Sequence, residues 1–239
     1  SALQTAFPRP SRLFEVGCGT GIDALWMAHR GHNVVATDIS EEMLSRVRER
    51  AKIEGLTDRI ECRRLAARDI GTLSDEFGKE SFDGGYCHAG ALNMEPGIAT
   101  VPAGLGRITK LRGMFVCSVI NKTSLFEVLF YPLVLRPRKA FRRLGNQVPL
   151  PISRKPPLSR HVVPARFDSP ADVRRMFAGE YTLDSVRGVR IFLPPANLTD
   201  EYDRYRVAFL PLEHLEARLS GLPLLRSAGH HSILAFQRR

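Results

Sequence analysis

The sequence predicts a doubly wound α/β fold, and three observations lead to that prediction. Through the first 120 residues, short β-rich runs alternate with segments whose apolar residues recur at helical spacing. Glycines close the first β run and separate later elements. Strands separated by helices must pair in parallel, with helices on both faces of the sheet. A chain of 239 residues is short enough to form a single domain overall.

Five β units are expected before residue 121. The predicted strands cover residues 12–16, 32–37, 59–65, 82–87 and 113–120. The predicted helices cover residues 22–30, 40–54 and 98–110, and Ser40 is a favourable N-cap for the second of them. The alternation returns later in the chain, with a helix from Pro170, a strand region at 181–192, a mostly helical segment at 199–219 and a final strand at 232–236.

Between these regular parts lies a segment of different composition. Residues 121–166 hold seven prolines and ten basic residues but one acid, whereas residues 1–120 hold fifteen of each sign. The sequence therefore divides into a core at 1–120, a basic insert at 121–166 and a completion of the same sheet at 167–239. We expect the insert to cap the functional site and to shape the choice of substrate.

Cysteine usage and hydropathy indicate the compartment. The four cysteines show neither a C-x-x-C pair nor a zinc-ligand spacing, which favours a reduced, intracellular protein. The most apolar run, 125–135, is far shorter than the ~20 residues of a membrane-spanning helix. No signal peptide is evident. The predicted location is cytoplasmic, with peripheral membrane association as an extension through the basic insert.

A glycine turn after the first strand carries the chemistry. Glycines at 17, 19 and 21 let the backbone approach a ligand where a Cβ would collide, and they present N–H groups beside a helix N-terminus. The dinucleotide fingerprint G-x-G-x-x-G is excluded, because its third glycine would fall at Ile22. The pattern is instead E-x-G-x-G-x-G, starting at Glu15.

This pattern resembles the first motif of class I S-adenosylmethionine-dependent methyltransferases. The continuation D-I-S-E-E-M-L, from Asp38 at the end of strand two, is similar to their second motif. The resemblance spans residues 13–120. It implies a seven-stranded Rossmann-like sheet, with the run near 232–236 as its extra antiparallel strand. It also implies S-adenosylmethionine as the cofactor and S-adenosylhomocysteine as the product.

The resemblance also places the cofactor contacts. Asp38 would hold the ribose hydroxyls, and Glu15 would organise the methionine end. The adenine contact stays open between the Asp69 carboxylate and the backbone of Ala67 and Arg68, because Ala66 stands where relatives carry an acid. The implied cofactor-binding residues are Glu15, Gly17, Cys18, Gly19, Gly21, Asp38, Ile39, Ala67, Asp69, Cys87 and His88.

Two histidines are candidate catalytic bases. His88 follows strand four, at the strand edge where the methyl group would be transferred, and a neutral imidazole there could accept a substrate proton. Packing against the cofactor is an equally good interpretation of His88. His161, in the insert, is the second candidate. No metal is expected, because a catechol-type aspartate set is missing and Asn121 alone stands at the end of strand five.

The insert combines apolar and basic residues. Its apolar run at 126–135 could form a wall, and its basic string could bind anions. The basic string consists of Arg136, Arg138, Lys139, Arg142 and Arg143. An acidic or phosphate-bearing substrate with an apolar body fits both features, while a simple solvated face and docking on a membrane surface are the alternatives.

We therefore expect an enzyme of the methyltransferase class that acts on a small molecule, lipid-like or a natural product, by O- or N-methylation. Nucleic-acid bases are disfavoured, because the N-P-P-Y type of motif is absent after strand four. Two alternatives stay open. One is an RNA methyltransferase, suggested by the net charge of +10. The other is a non-catalytic partner protein that keeps the fold.

Overall fold

The structure is a computed structural model that describes residues 1–239 except 89, 142, 144–147, 152–161, 195–201, 203 and 205. The candidate base His161 and the basic residue Arg142 lie outside the described residues. Within the part that is described, no helix is both long and apolar enough to cross a membrane.

Nine strands and nine α-helices are described. The strands are β1 (Arg12–Val16), β2 (Asn33–Asp38), β3 (Ile60–Arg64), β4 (Phe82–Cys87), β5 (Thr109–Ile120), β6 (Val148–Pro151), β7 (Val162–Ala165), β8 (Tyr181–Val189) and β9 (His231–Arg238). The helices are α1 (Ala2–Ala6), α2 (Ile22–Ala28), α3 (Glu41–Ile53), α4 (Leu73–Phe77), α5 (Val101–Ile108), α6 (Leu125–Leu133), α7 (Pro137–Ala140), α8 (Pro170–Phe177) and α9 (Arg206–Leu219). Short 3-10 turns cover Ala67–Thr72, Ala91–Met94 and Ile98–Thr100.

The strands form a seven-stranded sheet in the order β3-β2-β1-β4-β5-β9-β8, with β6 and β7 as a separate antiparallel pair. The pairings of β1 with β2 and β4, of β2 with β3 and of β4 with β5 are all parallel. The predicted doubly wound, seven-stranded Rossmann-like sheet is confirmed. Parallel pairing brings the carboxyl ends of β1, β2 and β4 to one edge, where ligands bind in such sheets.

Local sequence explains most element boundaries. The Ser40 side chain accepts a hydrogen bond from the Met43 N–H at 3.3 Å and so caps α3. The predicted helix at 98–110 is longer than α5 at both ends, because residues 98–100 form a 3-10 turn and Thr109 already pairs with Phe82 across the sheet. The helix α1 was not predicted.

The chain forms two compact units. Unit 1 contains residues 1–117, 174–185 and 235–239, and unit 2 contains residues 118–173 and 186–234. Stacked rings fill the core of unit 1: the ring centroids of Phe115 and Phe177 lie 5.8 Å apart, and those of Phe177 and Phe236 lie 4.6 Å apart. Gly85 in β4 makes room for this core, since an added Cβ would lie 2.1 Å from the Phe14 ring.

Unit 2 contains a buried ion pair. The Arg143 side chain donates to both carboxylate oxygens of Glu127, at 2.9 and 2.6 Å, and the two side chains are 3% and 1% exposed. Arg143 also donates to the carbonyl oxygens of Asn121 and His230. The prediction that Arg143 belongs to an anion-binding string is therefore wrong, because Glu127 and two carbonyl groups already occupy its guanidinium.

Candidate functional site

The turn after β1 holds three glycines in left-handed backbone conformations. Gly17, Gly19 and Gly21 have φ angles of +69°, +51° and +77°. An added Cβ would lie 2.5 Å from the Ala91 Cβ at Gly17 and 2.8 Å from the Val47 Cγ2 at Gly21. At Gly19 such a Cβ would meet nothing within 4 Å. Gly17 and Gly21 therefore permit close packing, whereas Gly19 presents open backbone at the strand edge.

Asp38 lies at the carboxyl end of β2 and is tied to this turn. Its Oδ2 accepts a hydrogen bond from the Gly19 N–H at 2.9 Å, and its Oδ1 accepts one from the Ser40 N–H at 2.9 Å. These two contacts fix the carboxylate without exhausting it, because an ionised carboxylate offers about four acceptor positions. Asp38 can therefore accept further hydroxyl donors beside Gly19.

Glu15 is a buried carboxyl in β1, two residues before Gly17. It is 2% exposed, and its Oε2 has no hydrogen-bond partner. Burial raises the pKa of Glu15 well above its ordinary value, and the nearby carboxylates of Asp23 and Asp38 raise it further, while the Tyr86 hydroxyl opposes them. An unpaired buried carboxyl among other acids is a costly arrangement that a cationic ligand would relieve.

His88 follows β4 and is held by an acid of the first helix. Its Nδ1 lies 2.9 Å from Asp23 Oδ2, and its Nε2 is buried without a hydrogen-bond partner. The side chains of His88 and Asp23 are 24% and 33% exposed. An imidazole fixed through one nitrogen, with its second nitrogen unused, is the arrangement of an oriented acid–base group.

The other predicted residues occupy distinct positions. Cys18 and Cys87 are buried, and burial raises the pKa of the Cys87 thiol to about 12, so neither acts as a thiolate. Ile39, directly after Asp38, is 67% exposed. Ala67 begins a 3-10 turn, and the Asp69 side chain, in the same turn, is 52% exposed. The exposed side chains of Ile39 and Asp69 are accessible to a ligand.

Asp23 and Glu95 also belong to this part of the molecule, although the sequence motifs did not indicate them. Asp23 follows the glycine turn by two residues, so its place in the first turn of α2 is the signal that could have found it. Glu95 is 6% exposed in its side chain, and it accepts hydrogen bonds from the Gly97 N–H and from Arg68. It thereby fixes the loop that carries Ala67 and Asp69, and no sequence pattern indicated this.

Comparison with known proteins identifies the domain that contains these residues. A family model described as a methyltransferase domain matches residues 13–113, which cover β1 to the first part of β5. Residues 13–113 are a methyltransferase domain. The resemblance to the class I, S-adenosylmethionine-dependent family is thus confirmed for the part of the chain that holds the glycine turn and Asp38.

Curated relatives match parts of this chain. The tRNA 5-carboxymethoxyuridine methyltransferase of Escherichia coli (strain K12) is 35% identical over 63 residues, 26% of this chain and 24% of that protein. The ubiquinone biosynthesis O-methyltransferase of Hahella chejuensis is 33% identical over 128 residues, 52% of this chain and 51% of that protein. The chain therefore spans about a quarter of the first relative and half of the second.

Solved structures share the fold over nearly the whole chain. An S-adenosylmethionine-dependent methyltransferase from Mesorhizobium loti superposes with a TM-score of 0.61 at 16% identity, covering 99% of this chain and 96% of that one. At this identity the likeness concerns the fold.

Within the methyltransferase domain, the groups at the strand edge divide into three kinds. Gly19 offers open backbone, Asp38 offers a fixed acceptor, and Glu15 and His88 each offer a buried polar atom without a partner. Among the described residues, no group of three or more His, Cys, Asp or Glu side chains could hold a metal ion. The arrangement can hold a polar ligand that carries a positive charge, beside a histidine able to move a proton.

Proposed function

We propose that this protein is a methyltransferase that transfers a methyl group from S-adenosylmethionine to a small-molecule acceptor, lipid-like or a natural product, by O- or N-methylation. The observation that carries the proposal is the open Gly19 backbone with Asp38 bonded to its N–H at 2.9 Å. A nucleoside ribose can lie against such a glycine and donate its hydroxyls to such a carboxylate.

The residues present fit this cofactor. Asp38 would accept the ribose hydroxyls, Gly17 and Gly19 would face the cofactor, and the unpartnered Glu15 Oε2 would receive its cationic amino end directly or through water. Cys18, Gly21, Cys87 and His88 would line the same strand edge. When bound, the cofactor supplies a methyl group made electrophilic by its sulfonium, and S-adenosylhomocysteine is left after transfer.

The adenine end would be bound by the exposed groups after β2 and β3. Ile39 would cover one face of the base with its exposed side chain. Asp69 would accept the adenine amine, or the backbone of Ala67 would serve in its place. The Glu95 contacts to Arg68 and Gly97 would hold this loop in position.

His88 would act as the base that removes a proton from the acceptor heteroatom. Asp23, through its contact with Nδ1, would keep that nitrogen protonated and leave Nε2 free to accept, which makes Asp23 a positioning residue. General-base catalysis contributes typically 10²- to 10⁴-fold, while holding the acceptor in line is worth ~7 to 11 kcal/mol. Segment 121–166, which includes His161, is proposed to select the acceptor.

Cofactor binding is tested by calorimetry with S-adenosylhomocysteine. The variant Asp38→Ala should bind at least tenfold more weakly, because hydrogen bonds to a charged acceptor are each worth ~1.5 to 3 kcal/mol. Asp75→Ala, which removes an acid whose side chain is 70% exposed in the same unit, is the matched control. Unchanged affinity in Asp38→Ala would remove Asp38 from the site.

Proton transfer is tested by the variant Asp23→Asn. It should lower kcat on a heteroatom acceptor about tenfold or more, with cofactor affinity retained. It should also move the acidic limb of the plot of kcat against pH. His88→Gln should remove the same limb. A profile that stays in place in both variants would return His88 to a packing role.

The chief alternative is an RNA methyltransferase, favoured by the net charge of +10 and by the tRNA-modifying relative. It predicts methylation of transcribed RNA and not of small acceptors, so parallel turnover assays separate the two. Turnover on neither substrate class, together with a thermal shift by S-adenosylhomocysteine, would favour the non-catalytic partner. The free cysteines among the described residues support a cytoplasmic location for any of these.

A further inference from the structure

We propose that unit 2 carries a docking surface for an anionic lipid bilayer on the outward face of α6, the turn that follows it and the short helix α7. The docking surface consists of Leu129, Leu133, Leu135, Arg136, Arg138 and Phe141. All six residues are exposed, and each of the four apolar ones is more than half exposed: Leu129 is 60%, Leu133 81%, Leu135 90% and Phe141 55% exposed.

The helix α6 turns polar residues inward and leucines outward, the reverse of the usual arrangement in a surface helix. Its inward face is formed by Ser124, Glu127 and Tyr131, which are buried and recur at helical spacing. Leu129 and Leu133, four residues apart, point to the opposite side. A surface helix normally turns its apolar stripe to the core and its charged residues to water, so this outward face is suited to an apolar environment.

Leu135 adds a second anomaly. It has a left-handed backbone with φ at +58°, a conformation that disfavours residues with a Cβ and suits glycine or asparagine. The chain nevertheless places a leucine here and exposes 90% of it. Folding gains nothing from this exposed side chain, so its apolar character points to a ligand.

The charge around these leucines identifies the ligand. Residues 121–166 contain ten basic residues and one acid, Glu127. Arg143 neutralises Glu127, the one acid of this segment, inside the unit, and Arg166 pairs with Asp168 just beyond the segment. Arg136, which follows Leu135 in the chain, and Arg138, two residues further on, are both exposed. A surface that combines exposed leucines with arginines matches the acyl boundary and the anionic headgroups of a bilayer.

Other kinds of partner would interact favourably with the arginines or with the leucines of this surface, but not with both. Nucleic acid would bind the arginines through its phosphates and leave the leucines in water. A second copy of this basic segment would bring like charges together. The bilayer satisfies both halves, and the proposal stands independently of methyl transfer, since vesicle binding needs neither cofactor nor turnover.

The test is cosedimentation of the full chain with phosphatidylcholine vesicles, with and without phosphatidylglycerol. Wild-type protein should bind the anionic vesicles and bind the neutral ones far more weakly. Each basic residue at an anionic surface contributes a factor of about five, so Arg136→Gln/Arg138→Gln should bind at least tenfold more weakly. Leu133→Ser/Leu135→Asn should also lose at least tenfold.

The leucine variant separates binding from folding. Asparagine tolerates the left-handed backbone at 135, so Leu133→Ser/Leu135→Asn should unfold at the same temperature as wild type or higher. Ile53→Ser/Leu111→Asn is the matched control, since those side chains are 76% and 62% exposed in unit 1. Arg9→Gln/Lys52→Gln removes the same charge from exposed positions in unit 1. Neither control should change vesicle binding.

Three outcomes would overturn the proposal. The first is equal binding to neutral and anionic vesicles, or binding to neither. The second is vesicle binding that the leucine variant retains. The third is evidence that the surface serves another partner. Such evidence would be RNA binding that is lost in the arginine variant and kept in the leucine variant, or a wild-type dimer that dissociates in the leucine variant.

Discussion

Two buried glutamates in different units show how the same side chain can serve opposite purposes. Glu15 in unit 1 and Glu127 in unit 2 are 2% and 1% exposed. Glu127 receives two hydrogen bonds from Arg143, whereas Glu15 has an oxygen without a partner and lies near the acids Asp23 and Asp38. Glu127 is thus neutralised within the fold, and we propose that the charge of Glu15 is met by a ligand.

This difference distinguishes an acid that stabilises the fold from an acid that is available to bind a ligand. A buried carboxylate with a bidentate arginine has its electrostatic requirement met, so removal of the arginine should damage folding. A buried carboxyl without a cation costs stability in the free protein, and that cost is recovered when a cation binds. The comparison therefore predicts opposite signs for mutations at the two sites.

The largest effect is expected from Arg143→Met. It leaves Glu127 buried without a cation, which costs about 3 to 5 kcal/mol in the free energy of unfolding. Chemical denaturation measures this loss. The exposed pair of Arg46 and Glu42, with side chains 54% and 70% exposed, supplies the control, since Arg46→Met should cost less than ~1 kcal/mol. Equal losses in the two variants would contradict the assignment of Arg143 to folding.

The next largest effect is the pH dependence of stability that arises from His231, a histidine near Arg143 of the buried ion pair. Burial lowers the pKa of His231 to about 4, and the charges of Arg143 and Arg190 lower it further. Its Nδ1 lies 2.7 Å from that of His230. Because the unfolded chain binds the proton more tightly than the fold, stability is full above about pH 6.5 and falls as the pH drops toward 4, by about 2 to 3 kcal/mol.

The measurement is the unfolding free energy of His231→Gln against wild type between these pH values. The variant should lose less stability on acidification, while His214→Gln, which changes an exposed histidine, should follow the wild-type curve. Parallel curves for wild type and His231→Gln would exclude His231 as the acid-sensitive group.

The smallest effect on stability is expected from Glu15→Gln. This variant tests most directly whether Glu15 and Glu127 have different roles. The raised pKa of Glu15 means that the ligand-free fold loses stability as the pH rises from the ordinary glutamate value through the raised one. Glu15→Gln should remove that loss and be at least as stable as wild type at neutral pH. Its affinity for S-adenosylhomocysteine should fall about tenfold, because the bond from a cationic amine is weakened.

Calorimetry and thermal unfolding together test this variant. Glu76→Gln, which alters an exposed acid of unit 1, should change neither quantity much. A destabilised Glu15→Gln with unchanged affinity would make Glu15 a structural acid like Glu127.

Much of the fold followed from local patterns. The glycine turn, the capped helix α3 and the alternation of strands and helices up to residue 120 depend on neighbours in the chain, so they could be predicted from the sequence. The boundary between α5 and β5 could not, since Thr109 is decided by its pairing with Phe82 in another strand. The site followed in part: Asp38 lies beside Gly19 as the motifs implied, while Asp23 beside His88 was not anticipated.

The sequence was enough to predict the methyltransferase domain at residues 13–113, because its motifs lie on neighbouring residues of a strand-to-helix turn. The uneven distribution of charge between residues 1–120 and 121–166 also follows from the sequence, because it needs only a count of basic and acidic residues. Only the tertiary structure decided which charges are available. Arg143 is one basic residue among many in the sequence, yet it is buried on Glu127, while Leu133 and Leu135 face outward. The physical reason is that burial and pairing depend on residues far apart in the chain, and residue spacing alone cannot state which acid meets which base.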